Sequence, residues 1–273
     1  MRRAALLLLA AALPLAAQDA AGPASASPVA DPLTVNPNRP TFATPARTTQ
    51  EGVLELEAGL QESRFKDGSR SDFEPILLKL GQTARFEWRL GWNGLLRQTA
   101  PDGVHVQGLS DPTFGFQWHP LDQDRLGFDG AVGYSHKFAT ADAAKGLGSG
   151  RADDTLVLLA SKDVGPVHGD LNLLEGWIGQ PDGVRARQTS GTLSLSWPLA
   201  GRWGMGAEIY AVGATPGAAR DSALLAYGSY QLSSRVVFDA GVDHGLSAGA
   251  PRWNIFCGVT CGLGRLFHPR APR

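Results

Sequence analysis

The stretch that decides the fold class is FEWRLGWNG, Phe86 to Gly94. Every second residue from Phe86 to Trp92 is large and apolar, and the residues between them are charged, small or polar. Successive side chains of a β-strand point to opposite sides, so this alternation predicts a strand with one apolar face and one polar face. A soluble sandwich would turn the apolar face inward to its core, whereas an outer-membrane barrel would turn it outward to lipid.

The same alternation recurs along most of the chain. Segments such as VLELEAGLQ, TFGFQWHP and GTLSLSWPL predict about twelve strands, most of them near the roughly 9–11 residues that cross a bilayer when tilted. Gly is abundant, at 34 residues, which favours strands joined by many turns over helices.

The connections between these segments alternate in length. The short ones are QTA, LDQD, DVGP, PLAG and LSS, and the longer ones include KDGSRSD, LRQTAPDGVHVQG, ATADAAKGLGSGRA and GATPGAARD. Short turns at one end and longer loops at the other are typical of an outer-membrane barrel, with the short turns in the periplasm. We therefore predict an all-β protein, a transmembrane antiparallel up-and-down β-barrel of about twelve strands.

An arginine recurs at or beside the start of the strands that follow short turns. These arginines are Arg85, Arg125, Arg202 and Arg235, and an apolar residue follows each one directly. This repeat predicts a periplasmic charge followed by a residue suited to the membrane interface.

The N-terminus is predicted to carry an export signal. An apolar run from Ala4 to Ala17 follows Arg2 and Arg3, and it is shorter than the about 20 residues that a membrane helix needs. A charged start, a Leu/Ala-rich middle and small residues at the end are typical of a secretory signal peptide, predicted at residues 1–17. The protein is therefore predicted to be exported to the bacterial outer membrane.

The rest of the chain divides near Gly52, where the composition changes from Pro/Ala/Ser/Thr-rich to alternating apolar and polar residues. Residues 18–50 are rich in Pro, Ala, Ser and Thr and predict an extended periplasmic leader, although occupation of the barrel lumen is an alternative. Residues 51–267 are predicted to form the barrel, and residues 268–273 a short C-terminal tail.

The polar face collects most of the charged residues of the predicted strands. If the apolar face meets lipid, these residues line the lumen, because Arg or Lys at the bilayer midplane would cost about 2–4 kcal/mol. In the lumen they either select solutes or simply pair with one another. The lumen-lining candidates are Glu55, Glu57, Lys79, Glu87, Arg89, Asp129, Asp170, Asn172, Glu208, Asp239 and Asp243.

Charge and composition exclude several other functions. The formal net charge is −1 with no basic stripe, so nucleic acid is not an expected partner. The six histidines show no H-x-x-H spacing, and we predict no metal site and no cofactor. Cys257 and Cys261 lie four residues apart on one predicted strand, about 13 Å, which is too far for a disulfide. Both thiols are expected on the lipid face.

One motif keeps an enzymatic alternative open. GLSAG, Gly245 to Gly249, matches the G-x-S-x-G pattern of a nucleophile elbow, and His244 precedes it. That elbow requires a strand, a sharp turn and a helix, whereas Ser247 lies in a predicted loop before Pro251 and a further strand. We therefore predict that the protein is not an enzyme.

Four segments resemble a family of bacterial barrels named as transporters of a phenol-degradation pathway. They are NPNRPTFATPARTTQEGVLELEAGLQ at 36–61, GLSDPTFGFQW at 108–118, AEIYAVG at 207–213 and VFDAGVDHGLSAGAPRW at 237–253. In that family an Arg-Pro pair precedes a first strand of the form L-x-L-E-x-G, here Leu54 to Gly59. The sequence departs from the usual barrel terminus, because HPRAPR follows the aromatic Phe267.

The resemblance implies an outer-membrane transporter or channel. We expect it to pass small solutes, hydrophobic or aromatic ones among them, by passive diffusion, although the family name does not identify the solute. The expected partners are outer-membrane lipid, a small-molecule solute and the outer-membrane insertion machinery. The alternatives are an outer-membrane barrel lipid hydrolase, using His244 and Ser247, and a non-transporting structural or surface-binding barrel.

Overall fold

A computed structural model describes residues 32–268 of the chain, almost entirely as antiparallel strands. The predicted signal peptide at residues 1–17 lies outside the described residues. In chain order the strands are β1 (Val53–Arg64), β2 (Arg70–Phe73), β3 (Ile76–Thr83), β4 (Phe86–Trp92), β5 (Leu95–Thr99), β6 (His105–Leu109), β7 (Thr113–Leu121), β8 (Asp129–Lys137), β9 (Asp153–Val164), β10 (Val167–Gly179), β11 (Arg185–Pro198), β12 (Trp203–Val212), β13 (Asp221–Ser233), β14 (Val236–Gly245) and β15 (Trp253–Arg265).

Two helical turns lie in the connections, α1 (Gln123–Leu126) and a 3₁₀ turn at Ala143–Lys145. Over residues 32–268, no helix has the length and apolar character needed to cross a membrane.

The sheet closes on itself. Strand β1 pairs with β15 along its whole length, from Val53 opposite Arg265 to Arg64 opposite Trp253. From β7 to β15 each strand pairs with the next one in the chain. The result is a closed antiparallel barrel of 12 strands, which confirms the predicted fold class.

The fifteen strands form a barrel of twelve because three of the twelve passages of the chain along the wall, called crossings here, are each interrupted and divided into two strands. Strands β2 and β3 both pair with β1, β4 and β5 pair with β3 and β2, and β6 and β7 pair with β5 and β4. The interruptions fall at 74–75, 93–94 and 110–112. Pro75 and Pro112 lack the N–H that a ladder needs, and Gly94 has a φ of 59° that other residues rarely adopt.

The two ends of the barrel differ. The connections at 84–85, 122–128, 165–166, 199–202 and 234–235 form one end, called the turn end here. The connections at 65–69, 100–104, 138–152, 180–184, 213–220 and 246–252 form the opposite loop end. The predicted loop LRQTAPDGVHVQG is mostly strand, because β5 and β6 extend the hairpin and pair from Leu95–Leu109 to Thr99–His105.

Exposure alternates along the strands in the way the opening stretch predicts. In β4, Glu87 is 2% exposed while Trp88 and Leu90 are 37% and 46% exposed. The Trp88 ring stacks on Phe114 of the adjacent β7 with ring centroids 5.6 Å apart. The free cysteines Cys257 and Cys261 occupy outward positions on β15. Large apolar side chains cover the outside of the barrel, and a soluble monomer rarely exposes so large an apolar surface.

Candidate functional site: the barrel lumen

Residues 32–50, called the N-terminal segment here, lie against the inward face of the barrel. The segment begins at the turn end, where Leu33 and Val35 pack on Val53 and the Val35 amide donates to the Ser234 carbonyl at 2.9 Å. It then runs deeper into the barrel, and near Gln50 it joins β1 at the turn end. The N-terminal segment therefore enters and leaves the lumen at the same end.

At the point farthest from the turn end, the segment contacts the half of β12 that is nearer the loop end. The Phe42 ring stacks on Tyr210, with ring centroids 5.2 Å apart. The adjacent Arg39–Pro40 peptide bond is cis.

Inward-facing carboxylates hold the backbone of this segment. The two carboxylate oxygens of Glu57 accept hydrogen bonds from the amides of Asn38 and Arg39, at 2.9 and 3.0 Å. Glu208 accepts from Phe42 and Ala43 in the same way, at 2.9 and 2.7 Å. A buried carboxylate needs such charge-assisted bonds to offset the loss of its hydration. Further amide contacts join Asn36 to Glu55, Thr49 to Glu87 and Thr44 to Asn172.

Inward-facing cations complete the network. The Lys79 ammonium has no exposed side-chain surface and lies 2.6 Å from Glu55 Oε1 and 2.7 Å from Glu57 Oε1. It also donates to the Asn36 carbonyl of the N-terminal segment. Because a buried ammonium is stable only with close counter-charges and acceptors, Lys79 ties β3, β1 and the segment together.

Two arginines of the segment pair with acids on distant strands. Arg39 Nε and Nη2 each donate to Asp239 at 3.2 Å, which is a bidentate ion pair. Arg47 Nε donates to Asp129 at 2.7 Å. These pairs attach the deep part of the segment to β14 and its returning part to β8.

The eleven lumen candidates all occupy inward positions of the ladder, and all except Arg89 are buried. Arg89 is partly exposed and donates to Gln117 Oε1 at 2.7 Å. Asp170 contacts His168 Nε2 at 3.0 Å and Ser161 Oγ at 2.6 Å. The structure places most of the candidates around one feature, the N-terminal segment. Their role toward a solute remains a prediction.

The N-terminal segment separates two cavities. The loop-end cavity has a volume of about 560 Å³, and its walls include Tyr210 and Asp243. The turn-end cavity has a volume of about 430 Å³ and reaches Pro166 near the turn end. Residues 39–41 line both cavities and form the partition between them.

A third cavity of about 300 Å³, called the wall cavity here, lies where the three crossings are interrupted. Its lining combines the inward-facing Glu57 and Arg89 with Ile76 and Trp92, which occupy outward positions on β3 and β4. The wall cavity therefore lies between the lumen and the outer surface.

Sequence reasoning found one neutral polar residue of the lumen, Asn172, and missed others. Gln117 has no exposed surface, and its amide nitrogen donates to the carbonyls of Pro45 and Ala46 at 2.9 and 3.0 Å. Its position between Phe116 and Trp118 in TFGFQWHP carried the same alternation signal as the acids. Tyr210 was missed because an aromatic ring does not mark a face by charge, and Asn254 was missed although its amide resembles that of Asn172.

The structure does not bring the GLSAG motif into a catalytic arrangement. Ser247 Oγ donates to the Arg220 carbonyl at 2.7 Å and accepts from the Ser222 amide at 3.0 Å, which is the bonding of a loop residue. The His244 ring instead packs on Trp253, with ring centroids 4.3 Å apart.

The spacing of the histidines in the sequence did not indicate one group of possible metal ligands. Single ligand atoms of His119, Asp122 and Asp129 all lie within 4.8 Å of one another. Asp129 also binds Arg47, and Asp122 binds Arg85. Guanidinium groups thus already contact both carboxylates of this group.

Solved structures of outer-membrane proteins share this fold. An outer membrane channel from Pseudomonas putida F1 superposes with a TM-score of 0.61 at 11% identity, over 79% of this chain and 97% of that one. The NanC porin superposes with a TM-score of 0.52 at 9% identity, over 77% of this chain and 100% of that one. The fold is that of an outer-membrane β-barrel. Neither a family model nor a curated protein matches the sequence.

Proposed function

We propose that the protein is an outer-membrane channel that passes small solutes by passive diffusion. The observation that carries this proposal is the partition at residues 39–41, where one short stretch of chain separates a loop-end cavity from a turn-end cavity. A barrel of about eight strands has an interior that side chains fill, so it offers a solute no such space. Twelve strands enclose a wider interior, in which these two cavities remain open.

The outer membrane is the proposed location. The exposed apolar outer surface requires lipid around it, and the predicted signal peptide would export the chain. The loop end would then face the cell exterior and the turn end the periplasm. Phe267 directly follows Leu266, whose amide donates to the Gly52 carbonyl, so this aromatic residue is available to the insertion machinery near the start of β1.

Small solutes fit the proposal better than large ones. Each of the two cavities falls within the roughly 300–1,000 Å³ that is usual for small-molecule sites. The paired charges around Lys79 and Arg39 also occupy lumen space that an open porin would leave to water.

Hydrophobic or aromatic solutes are the class that the wall cavity favours. It lies between inward-facing Arg89 and outward-facing Trp92, beside interrupted strands. The Trp92 ring in the lining of the wall cavity offers an apolar or aromatic solute a contact surface. A link to phenol degradation rests on the resemblance of the sequence alone.

Liposome swelling tests the proposal. Vesicles containing the purified protein should swell in a pentose, and the rate should fall steeply for a trisaccharide, because the two cavities have volumes usual for small-molecule sites. Heat-unfolded protein in the same vesicles is the control. An absence of swelling with every solute, together with unchanged solute uptake by cells that lack the gene, would refute the channel and favour a structural or surface-binding barrel.

A further inference from the structure

We propose that the loop-end cavity binds an organic cation, specifically a protonated amine attached to an apolar or aromatic body. The biological role of this binding rests on the proposed channel function, since the cation would be a solute held on the exterior side of the partition. The binding itself can be measured without any transport.

The first support is an excess of negative charge in this cavity. Asp221 and Asp243 both line it, and among residues 32–268 neither carboxylate forms an ion pair. The other buried acids of the lumen have basic partners or, in the case of Glu208, two backbone amides. Arg39 also lines the cavity, but its guanidinium is bound to Asp239. Two carboxylates without a cation in the wall of one cavity attract a cation.

The second support is a pair of acceptors without donors. Asn254 is 5% exposed and lines the cavity, and its Nδ2 donates to both oxygens of Asp243 at 2.9 and 2.8 Å. Its Oδ1 and the Oδ1 of Asp221 are buried and make no hydrogen bond within the described part of the chain. A buried acceptor without a donor is unfavourable, because it has lost its hydrogen bonds to water. An alkylammonium group offers three N–H donors, which the carboxylates of Asp221 and Asp243 at the cavity wall can accept.

The third support is the aromatic surface around these acids. Phe42, Tyr210, Phe73 and Phe256 all line the cavity. Phe42 is 44% exposed although it lies inside the barrel, so part of its ring faces open space. The Tyr210 hydroxyl donates to Asp243 Oδ2 at 3.0 Å, which places a ring beside a carboxylate. Aromatic faces attract cations within about 6 Å of the ring centroid.

Together these features favour an organic cation over an inorganic one. A hard metal ion prefers several oxygen ligands and keeps its water shell, and it gains little from aromatic walls. An anion would face Asp221 and Asp243 directly. A protonated amine with an apolar body matches both the acceptors and the rings, and a volume of about 560 Å³ accommodates a small molecule of this type.

Calorimetry on the detergent-purified full chain tests the inference. The probes are 2-phenylethylammonium and the neutral 2-phenylethanol, which share the same aromatic body. We expect the ammonium to bind at least about tenfold more tightly than the alcohol, because only the ammonium forms charge-assisted hydrogen bonds and a cation–π contact. Asp243→Asn and Asp221→Asn should each reduce ammonium binding about tenfold, and Asp102→Asn, in the exposed 100–104 connection, should leave it unchanged.

A further variant guards against a folding artefact. Tyr210→Phe keeps the ring and removes the donor to Asp243, so it should retain most of the cation–π contact while still migrating as a folded barrel in unheated gels. Equal binding of ammonium and alcohol, or ammonium binding that both Asn variants leave intact, would overturn the inference. Binding of Ca²⁺ without binding of the ammonium would overturn it as well. If the channel proposal fails in liposomes, this binding result remains a separate outcome.

Discussion

Lys79 shows how a single residue stabilises the lumen. Its ammonium is fully buried between Glu55 and Glu57 and also donates to the N-terminal segment. If Lys79 were absent, two buried carboxylates would face one another without a cation. Removing one partner of a buried charge cluster is strongly destabilising, because the remaining charge is left without compensation.

Replacement of Lys79 by methionine should therefore lower the free energy of unfolding by about 3–5 kcal/mol. Urea unfolding in lipid vesicles, followed by tryptophan fluorescence, measures this change. Lys145→Met is the matched control, since Lys145 lies in an exposed connection and, within the described part of the chain, its ammonium pairs with Asp142 alone, at 3.5 Å. Equal unfolding midpoints for the two variants would contradict the role given to Lys79.

Ser247 allows a test of the enzymatic alternative. Its hydroxyl bonds to the backbone at Arg220 and Ser222, so Ser247→Ala should loosen the connections at 213–220 and 246–252 at a cost of about 1–2 kcal/mol. Release of fatty acid from a phospholipid should be at background for both the wild-type protein and the variant. Hydrolysis by the wild-type protein that the variant loses would show that Ser247 is a nucleophile.

At the residue level, the sequence predicts which way a side chain points better than it predicts which groups that side chain contacts. Alternation in β4 was enough to point Glu87 inward and Trp88 outward, because side-chain direction has a period of two. The partners of Glu208, the amides of Phe42 and Ala43, lie more than 160 positions away in sequence. No local pattern specifies a contact between a strand and a segment so far from it.

At the level of elements, the N-terminal segment is ordered by the barrel. Its residues are too small and too rich in proline to build a core, so composition predicted an extended leader. Its order comes from carboxylates on β1, β4 and β12 that accept from its backbone amides. The interrupted crossings are a second feature that alternation could not locate, since Pro75 and Gly94 look like ordinary turn residues in the sequence.

Glu208→Ala should release the deepest part of this segment, because Phe42 and Ala43 would lose the acceptors of both their amides. We expect larger and noisier single-channel currents in planar bilayers than those of the wild-type protein. Glu175→Ala is the control, since Glu175 lies near the loop end of β10 and pairs with Arg187 on the outer surface. Identical current traces for the two variants would show that the segment does not limit conductance.

At the scale of the whole molecule, the apolar exterior distinguishes a membrane barrel from a soluble one. Leu171 on β10 is 45% exposed, and Val184 in the 180–184 connection is 61% exposed. In water both positions would accept arginine at little cost. In a bilayer only the connection at the loop end would do so.

Leu171→Arg should therefore lower the free energy of unfolding in vesicles by about 2–4 kcal/mol, because the guanidinium would meet lipid. Val184→Arg should leave the free energy of unfolding unchanged within error. Urea titration of both variants in the same vesicles checks the difference. Equal stability of the two would mean that lipid does not surround β10.

The whole-molecule features most accessible from sequence were the fold and its two ends. Alternating faces and alternating connection lengths are properties of neighbouring residues, so they are visible in the chain itself. The cavities were not predictable, because their shapes depend on where residues 39–41 cross the lumen. The lack of ion pairs at Asp221 and Asp243 within residues 32–268 likewise emerges only from the three-dimensional packing.

The most direct test of the account compares single-channel conductance of the wild-type protein with that of a variant in which residues 32–50 are deleted and residue 31 is joined to Glu51. We expect a small conductance for the wild-type protein and one several-fold larger for the deletion variant, because the partition between the two cavities is gone. Both proteins should first be shown to run as folded barrels in unheated gels. Folded barrels that are silent in both forms would contradict a solute path through the lumen.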